Sequence, residues 1–436
     1  MSLSNETIGI LGVIGLLVLV VIGVRVYIAS ALVGLIGLIA ILGWQAGAGI
    51  VGTIPHSKSI QYTLSVLPMF ILIGYLAFYA GLTQALFDAA RKWLGWLPGG
   101  LAVATIFATA GFAAVSGAST ATAAVFSRVA IPEMLRAGYA KHLAAGAVAA
   151  GGTLAALIPP SALMVIYAII VETSVGQLLL AGFIPGAISA ISYAAIVVVW
   201  SIINPKIGQP IRGYTWGQRF AALPGTFPVV VVIAIIFSAM YLGWATPTEA
   251  GALGAFVVFV IALAKGMRGA PLKAALLETA KLTVVIFSLI WGVLIFVRFL
   301  GFAGLPEKFT EFIVGLPLPP IAIMIMILIA YFILGMFMDA IGMMLLTLPV
   351  VYPAVMALGY DPIWFGIIVV KMCEVCLVTP PIGLNCFVVA SVRPDIPLTS
   401  VFRGAGPFVI ADFITLAIFL AFPEVITWLP KQIMAN

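Results

Sequence analysis

Long apolar runs alternate with short polar joints along nearly the whole chain. A helix of about 20 apolar residues crosses a bilayer. Such runs fall at residues 8–24, 28–50, 64–82, 143–170, 178–203, 227–242, 249–264, 283–305, 364–392 and 407–428. Two further apolar stretches, 101–131 and 319–351, have a broken middle. The first leg of the earlier one, 101–115, would be about 22 Å long at 1.5 Å per residue, too short for a core of ~30 Å. Both stretches are therefore predicted to be re-entrant helical hairpins. At the first tip, residues 108–124 read A-T-A-G-F-A-A-V-S-G-A-S-T-A-T-A-A, and fifteen of the seventeen are Gly, Ala, Ser or Thr. Ser116, Ser119, Thr120 and Thr122 place hydroxyls in an apolar setting, and Gly117 interrupts it. Broken backbone in lipid is tolerated only where protein or a water-filled cavity satisfies its polar groups. Small residues let neighbouring backbones approach closely. The tip is expected to be buried and to present oxygens to a bound species.

The punctuation of these runs repeats. Gly138-Tyr139 recurs as Gly359-Tyr360, Pro132 as Pro353, and Pro159-Pro160 as Pro380-Pro381, all at an offset of 221 without a gap. Ala80-Gly81-Leu82 recurs as Ala303-Gly304-Leu305 at an offset of 223. An internal repeat decides the fold, so it organises the expected domains. These are N-terminal scaffold helices at 1–63, a first repeat at 64–203, a connector with scaffold helices at 204–282, a second repeat at 283–429 and a tail at 430–436.

Charge gives the orientation. With the N-terminus outside and the spans alternating, fifteen of the 20 Lys and Arg fall in inside loops, among them Arg25, Arg91, Arg128, Arg136, Lys141, Lys265 and Arg403. Three (Lys58, Lys308 and Lys431) fall outside, and Arg298 and Lys371 lie within spans. Cytoplasmic loops carry the excess of basic residues. The mouth of the first hairpin is then cytoplasmic and its counterpart near Asp361 external, which makes the repeats inverted.

Composition narrows the class. The chain is 64% hydrophobic and only 8% charged, far below the roughly 25% charge of soluble domains. The fold class is an all-α polytopic membrane protein. Residues 1–5 lack a basic n-region, so the first run reads as a span, not a signal peptide. Cys373, Cys376 and Cys386 share one apolar segment and read as packing. With two histidines in the chain, no transition-metal cluster is expected. The stretch G-W-A-T-P-T-E-A at 243–250 is a helix start, with Thr246 as N-cap, Pro247 at N1 and Glu249 closing a capping box.

The chemistry lies where the helices break. Each hairpin is followed by a span split by paired prolines, within 143–170 and 364–392. Proline removes a donor and disfavours helix in the residue before it. One half-helix ends with free carbonyls and the next begins with free amides. Carbonyls and hydroxyls suit a hard cation such as Na⁺, whereas amides suit an anion. One constellation joins Ser116, Gly117, Ser119 and Thr120 to the break at Pro159–Ser161. The other joins Gly335 and Asp339 to Thr379, Gly383 and Asn385. Pro160, Ser161, Pro381, Asn385 and Arg298 are the candidates for substrate. Broken helices meeting at the midplane of inverted repeats point to a secondary transporter. Asp339 is the only acid at a tip and needs a partner, either a bound cation or Lys371 or Arg298. Lys371 and Glu374, at i and i+3, form an alternative pair. Arg298 either pairs with Glu374 or Asp339 or meets a substrate carboxylate.

These residues resemble a known family. S-G-A-S-T-A-T-A at 116–123, I-P-E-M at 131–134, I-P-P-S at 158–161, G-W-A-T-P-T-E-A at 243–250, G-M-F-M-D at 335–339 and T-P-P-I-G-L-N at 379–385 are similar to the large membrane subunit of tripartite ATP-independent periplasmic (TRAP) transporters. The resemblance covers almost the whole chain. It implies an elevator-type, Na⁺-driven importer of organic acids, C4-dicarboxylates among them, with Na⁺ ligands drawn from the two tips and the second break. It implies two protein partners, a small four-helix membrane subunit and a periplasmic substrate-binding protein. No cofactor is expected beyond the coupling ion, and no nucleic acid. Arg298 lies outside the matching motifs. A stand-alone sodium–dicarboxylate elevator symporter is the nearest alternative. A pore would need continuous polar stripes. The chain lacks H-E-x-x-H and G-x-x-x-x-G-K-[ST], the signatures of a zincin and of a P-loop.

Overall fold

The computed structural model describes residues 3–434, and within them all regular structure is helical, with 22 α-helices and two short 3-10 turns. Seven helices are long and apolar enough to cross a membrane, among them Lys141–Ile170, counted across its break, and Ala270–Ala303. Others, such as Val26–Leu42 and Gly100–Ser116, are apolar but shorter. The helix at Pro247–Ala264 starts as its sequence indicates. The Thr246 amide donates to the Glu249 carboxylate at 2.8 Å, and the Glu249 amide donates to the Thr246 hydroxyl at 3.3 Å.

Three expected spans have other bounds. Gly43 adopts φ +82° and separates Val26–Leu42 from Trp44–Ser59, so the run 28–50 is two helices. The run 407–428 is cut at Pro423, with Leu398–Ala421 on one side and the separate helix Glu424–Met434 on the other. The run 283–305 begins much earlier. Its helix, Ala270–Ala303, continues through Lys273, Glu278 and Lys281 for 34 residues, because Lys and Glu propagate a helix as well as most apolar residues do.

Two sets of elements match in order. Gly81 and Gly304 are both left-handed and precede the short helices Leu82–Leu94 and Leu305–Val314. The hairpins follow: Gly100–Ser116 with Ser119–Arg136, and Pro320–Gly335 with Ala340–Ala357. Gly138 and Gly359 then turn the chain at φ +80° and +85°. The broken helices close each set: Lys141–Leu157 with Ala162–Ile170, and Pro362–Cys376 with Leu384–Val392. Both Pro–Pro peptides are cis.

The broken helices occupy the centre. Every residue of Lys141–Leu157 from Leu143 onward is buried, as is every residue of Pro362–Cys376 from Ile363 onward. Ten of the 17 residues of the first are Ala or Gly, which allows close approach; a Cβ at Gly146 would strike the backbone of Gly404 on Leu398–Ala421. Outside this centre, Asn5–Val21, Val26–Leu42 and Trp44–Ser59 pack on Ala270–Ala303 around a smaller core that includes Leu16, Leu38, Ile54 and Phe299. Ile10, Leu11, Ile14 and Val18 remain exposed on the first of these helices, as a face toward lipid requires.

Candidate functional site

At the first tip, Gly117 ends Gly100–Ser116 at φ +60°. Its carbonyl accepts from the Ala162 amide at 3.3 Å, just past the first Pro–Pro pair. Any side chain at Gly117 would collide with the Pro160 carbonyl oxygen, so the close approach itself requires glycine. The structure thus brings Gly117, Pro160 and Ser161 together. Ser161 is already committed: its hydroxyl donates to the Ala156 carbonyl and accepts from the Met164 amide, capping Ala162–Ile170. Ser116 and Thr122 share a hydrogen bond of 3.0 Å. Ser119 and Thr120 are half-buried, and among the described residues their hydroxyls have no partner.

The second tip is built in the same way. The Ile382 amide, just past Pro380–Pro381, donates to the Met336 carbonyl at 3.3 Å. Gly335 packs against the Cys376 sulfur so closely that a Cβ would overlap it. Asp339 caps Ala340–Ala357, accepting from the Gly342 amide at 3.0 Å. It pairs with neither Lys371 nor Arg298. Thr379 donates to the Val375 carbonyl at 2.7 Å, and Gly383, at φ +49°, opens Leu384–Val392. Pro381 lies exposed in this break. Asn385 links the halves of the molecule, because its amide nitrogen donates across to Ala149 on Lys141–Leu157 at 3.1 Å. Its side-chain oxygen is buried with no hydrogen-bond partner.

A second polar group, largely missed by sequence reasoning, fills the centre. Lys371 is fully buried and donates to Glu374 at 2.8 Å, Asp412 at 2.6 Å and Ser189 at 2.9 Å. The Tyr193 hydroxyl donates to Asp412 at 2.6 Å, and Thr153 donates to Glu374 at 3.3 Å. Thr153 and Glu374 lie 221 residues apart, the same offset that separates Pro159-Pro160 from Pro380-Pro381. Asp412 is one acid inside an apolar run, and asking what compensates Lys371 would have found it. Arg298, by contrast, is exposed on Ala270–Ala303 and pairs with neither Glu374 nor Asp339. Its depth was readable from the sequence, but the face of the helix it occupies was not.

Outside the spans, Arg393 donates to Asp395 through two hydrogen bonds, at 2.8 and 2.7 Å, which hold that carboxyl down at about 2. The same loop accepts from Lys141 through the Asp395 carbonyl at 3.1 Å, tying the end of the second broken helix to the start of the first.

Unpartnered hydroxyls and an amide oxygen beside broken helices are hard, neutral ligands of the kind that hold a monovalent or divalent main-group cation. Two hairpin tips seated on two broken helices define a helical membrane transporter. The chain belongs to the DctM family: the family described as "Tripartite ATP-independent periplasmic transporter, DctM component" matches residues 13–425. It is 35% identical over 377 residues, 86% of each chain, to the C4-dicarboxylate TRAP transporter large permease protein DctM of Pseudomonas aeruginosa. It is 30% identical over 375 residues, 85% of this chain and 87% of the relative, to the sialic acid TRAP transporter large permease protein SiaM of Vibrio cholerae. In fold it is similar to the YdaH transporter of Alcanivorax borkumensis, with a TM-score of 0.59 at 13% identity over 88% of this chain and 90% of that one. The protein is a multi-pass permease of the bacterial inner membrane and not an enzyme.

Proposed function

We propose that this chain is the large membrane subunit of a sodium-driven, binding-protein-dependent importer of small organic acids. The observation that carries the reading is the matched seating of each hairpin tip on the break of its own repeat. The amides of Ala162 and Ile382 donate to the tip carbonyls of Gly117 and Met336. Oxygens of Ser119, Thr120 and Asn385 are left for an ion. The family supports a small membrane subunit and a periplasmic binding protein as partners. The named cargoes of the two permease relatives, C4-dicarboxylates and sialic acid, are organic acids. The biased loop charges support inverted repeats, and inverted repeats support a hairpin-bearing body that moves against a scaffold of outer helices. The test is uptake into proteoliposomes that hold this chain with its small subunit. The expected result is uptake of a binding-protein-held carboxylate only with an inward sodium gradient and only with the binding protein present. Equal uptake without the binding protein would favour a stand-alone symporter, and equal uptake in potassium would overturn sodium coupling.

A further inference from the structure

Beside the first hairpin tip lies a cavity of about 180 Å³ with a charge pattern of its own. One wall is the second hairpin leg, Ser119–Arg136; the other is formed by the helices Val66–Tyr79 and Ala270–Ala303. From the tip, Ala118, Ala121 and Ala124 line the hairpin wall at helical spacing, and Arg128 closes the row. Arg128 is exposed and, among the described residues, has neither hydrogen bond nor ion pair. The facing wall carries Glu278, with Tyr75 lining the same cavity. Arg128 and Glu278 line one cavity, yet no nitrogen of the first comes within 4.0 Å of an oxygen of the second. The space therefore presents one guanidinium and one carboxylate, each unpaired with the other.

That pattern discriminates among organic acids. A planar guanidinium grips a carboxylate bidentately. A second carboxylate on the same ligand would then meet Glu278 across a cavity with aromatic walls, where like charges repel more strongly than in water. A cationic nitrogen there would meet an opposite charge, with aromatic faces at hand. We propose that this cavity binds a zwitterionic organic acid, its carboxylate on Arg128 and its ammonium on Glu278. The inference rests on reading the chain as a carboxylate transporter and narrows the cargo of that transporter.

The test uses the purified full chain in detergent with sodium present. Binding is measured for γ-aminobutyrate, 5-aminopentanoate and 6-aminohexanoate against succinate, glutarate and adipate, the dicarboxylates of matching length. At the best-fitting length the amino acid is expected to bind about tenfold tighter or more, the worth of one charge-assisted contact. Arg128→Gln should weaken both series, Glu278→Gln should level them, and Glu278→Lys should turn the preference toward dicarboxylates. Both side chains are exposed, and sodium-dependent thermal stabilisation, read on the same samples, reports that each variant is folded. A tighter dicarboxylate in the unaltered protein overturns the proposal. So does a preference that survives Glu278→Gln, or the failure of both series to bind a protein that still responds to sodium. A protein that responds to neither sodium nor any carboxylate overturns the reading as a sodium-driven carboxylate importer, and this proposal with it.

Discussion

Lys371 is the residue on which most of the buried charge depends. It is fully buried and, among the described residues, is the one cation in contact with two equally buried carboxylates, Glu374 and Asp412. Removing one partner of a buried pair strands the other charge and costs about 3–5 kcal/mol. Lys371→Met is therefore expected to lower the stability of the detergent-solubilised protein by about that amount, read as a fall in its thermal unfolding midpoint. The triple variant Lys371→Met, Glu374→Gln, Asp412→Asn leaves no charge behind and is expected to recover most of the loss. If Lys371→Met alone is neutral, the three groups do not form a charged cluster in the folded protein. The sequence made the Lys371–Glu374 contact readable, since i and i+3 share a helix face. It hid Asp412, because contact across 41 residues depends on packing that no local pattern encodes. It also misled at Arg298, where intramembrane depth implied a buried partner and the structure shows an exposed side chain.

At the scale of elements, breaks were more legible than joints. Proline and glycine fix backbone locally, so the Pro–Pro interruptions and the Gly117 turn could be read directly. The helix bounds at 28–50 and 283–305 could not, because a glycine or a charged residue in an apolar run permits both continuation and termination; at 407–428 the helix runs through Pro407 yet stops before Pro423. The element with the clearest mechanical consequence is the first tip. Gly117→Ala adds a Cβ that meets the Pro160 carbonyl oxygen at a positive φ. The left-handed conformation alone costs about 1–2 kcal/mol, and the collision must push the tip off its break. Sodium affinity is expected to fall about tenfold or more. Gly138→Ala is the control: φ is +80°, with nothing within 4 Å of the added carbon, so it should carry the same backbone strain without moving the tip. Its sodium affinity is expected to stay within about twofold. Equal losses in both variants would mean that strain, not seating of the tip, sets the affinity.

At the scale of the whole molecule, the two sets of elements meet at Thr153 and Glu374, which correspond across the repeat. Inverted insertion makes a direct prediction, motivated by the loop charges. A single cysteine replacing Lys141 should react with an impermeant thiol reagent only from the cytoplasmic face, and one replacing Asp361 only from the outside. The three native cysteines are buried and give a low background. Reaction of both from one side would rule out inversion. Sodium binding at the two tip–break junctions is tested most directly by thermal unfolding of the purified chain at constant ionic strength, with sodium exchanged stepwise for potassium. The expected result is a saturable, sodium-specific rise in the unfolding midpoint, weakened in both Ser119→Ala and Thr379→Ala, each of which removes one hydroxyl from a junction. Coincident curves in sodium and potassium would contradict sodium binding at these junctions.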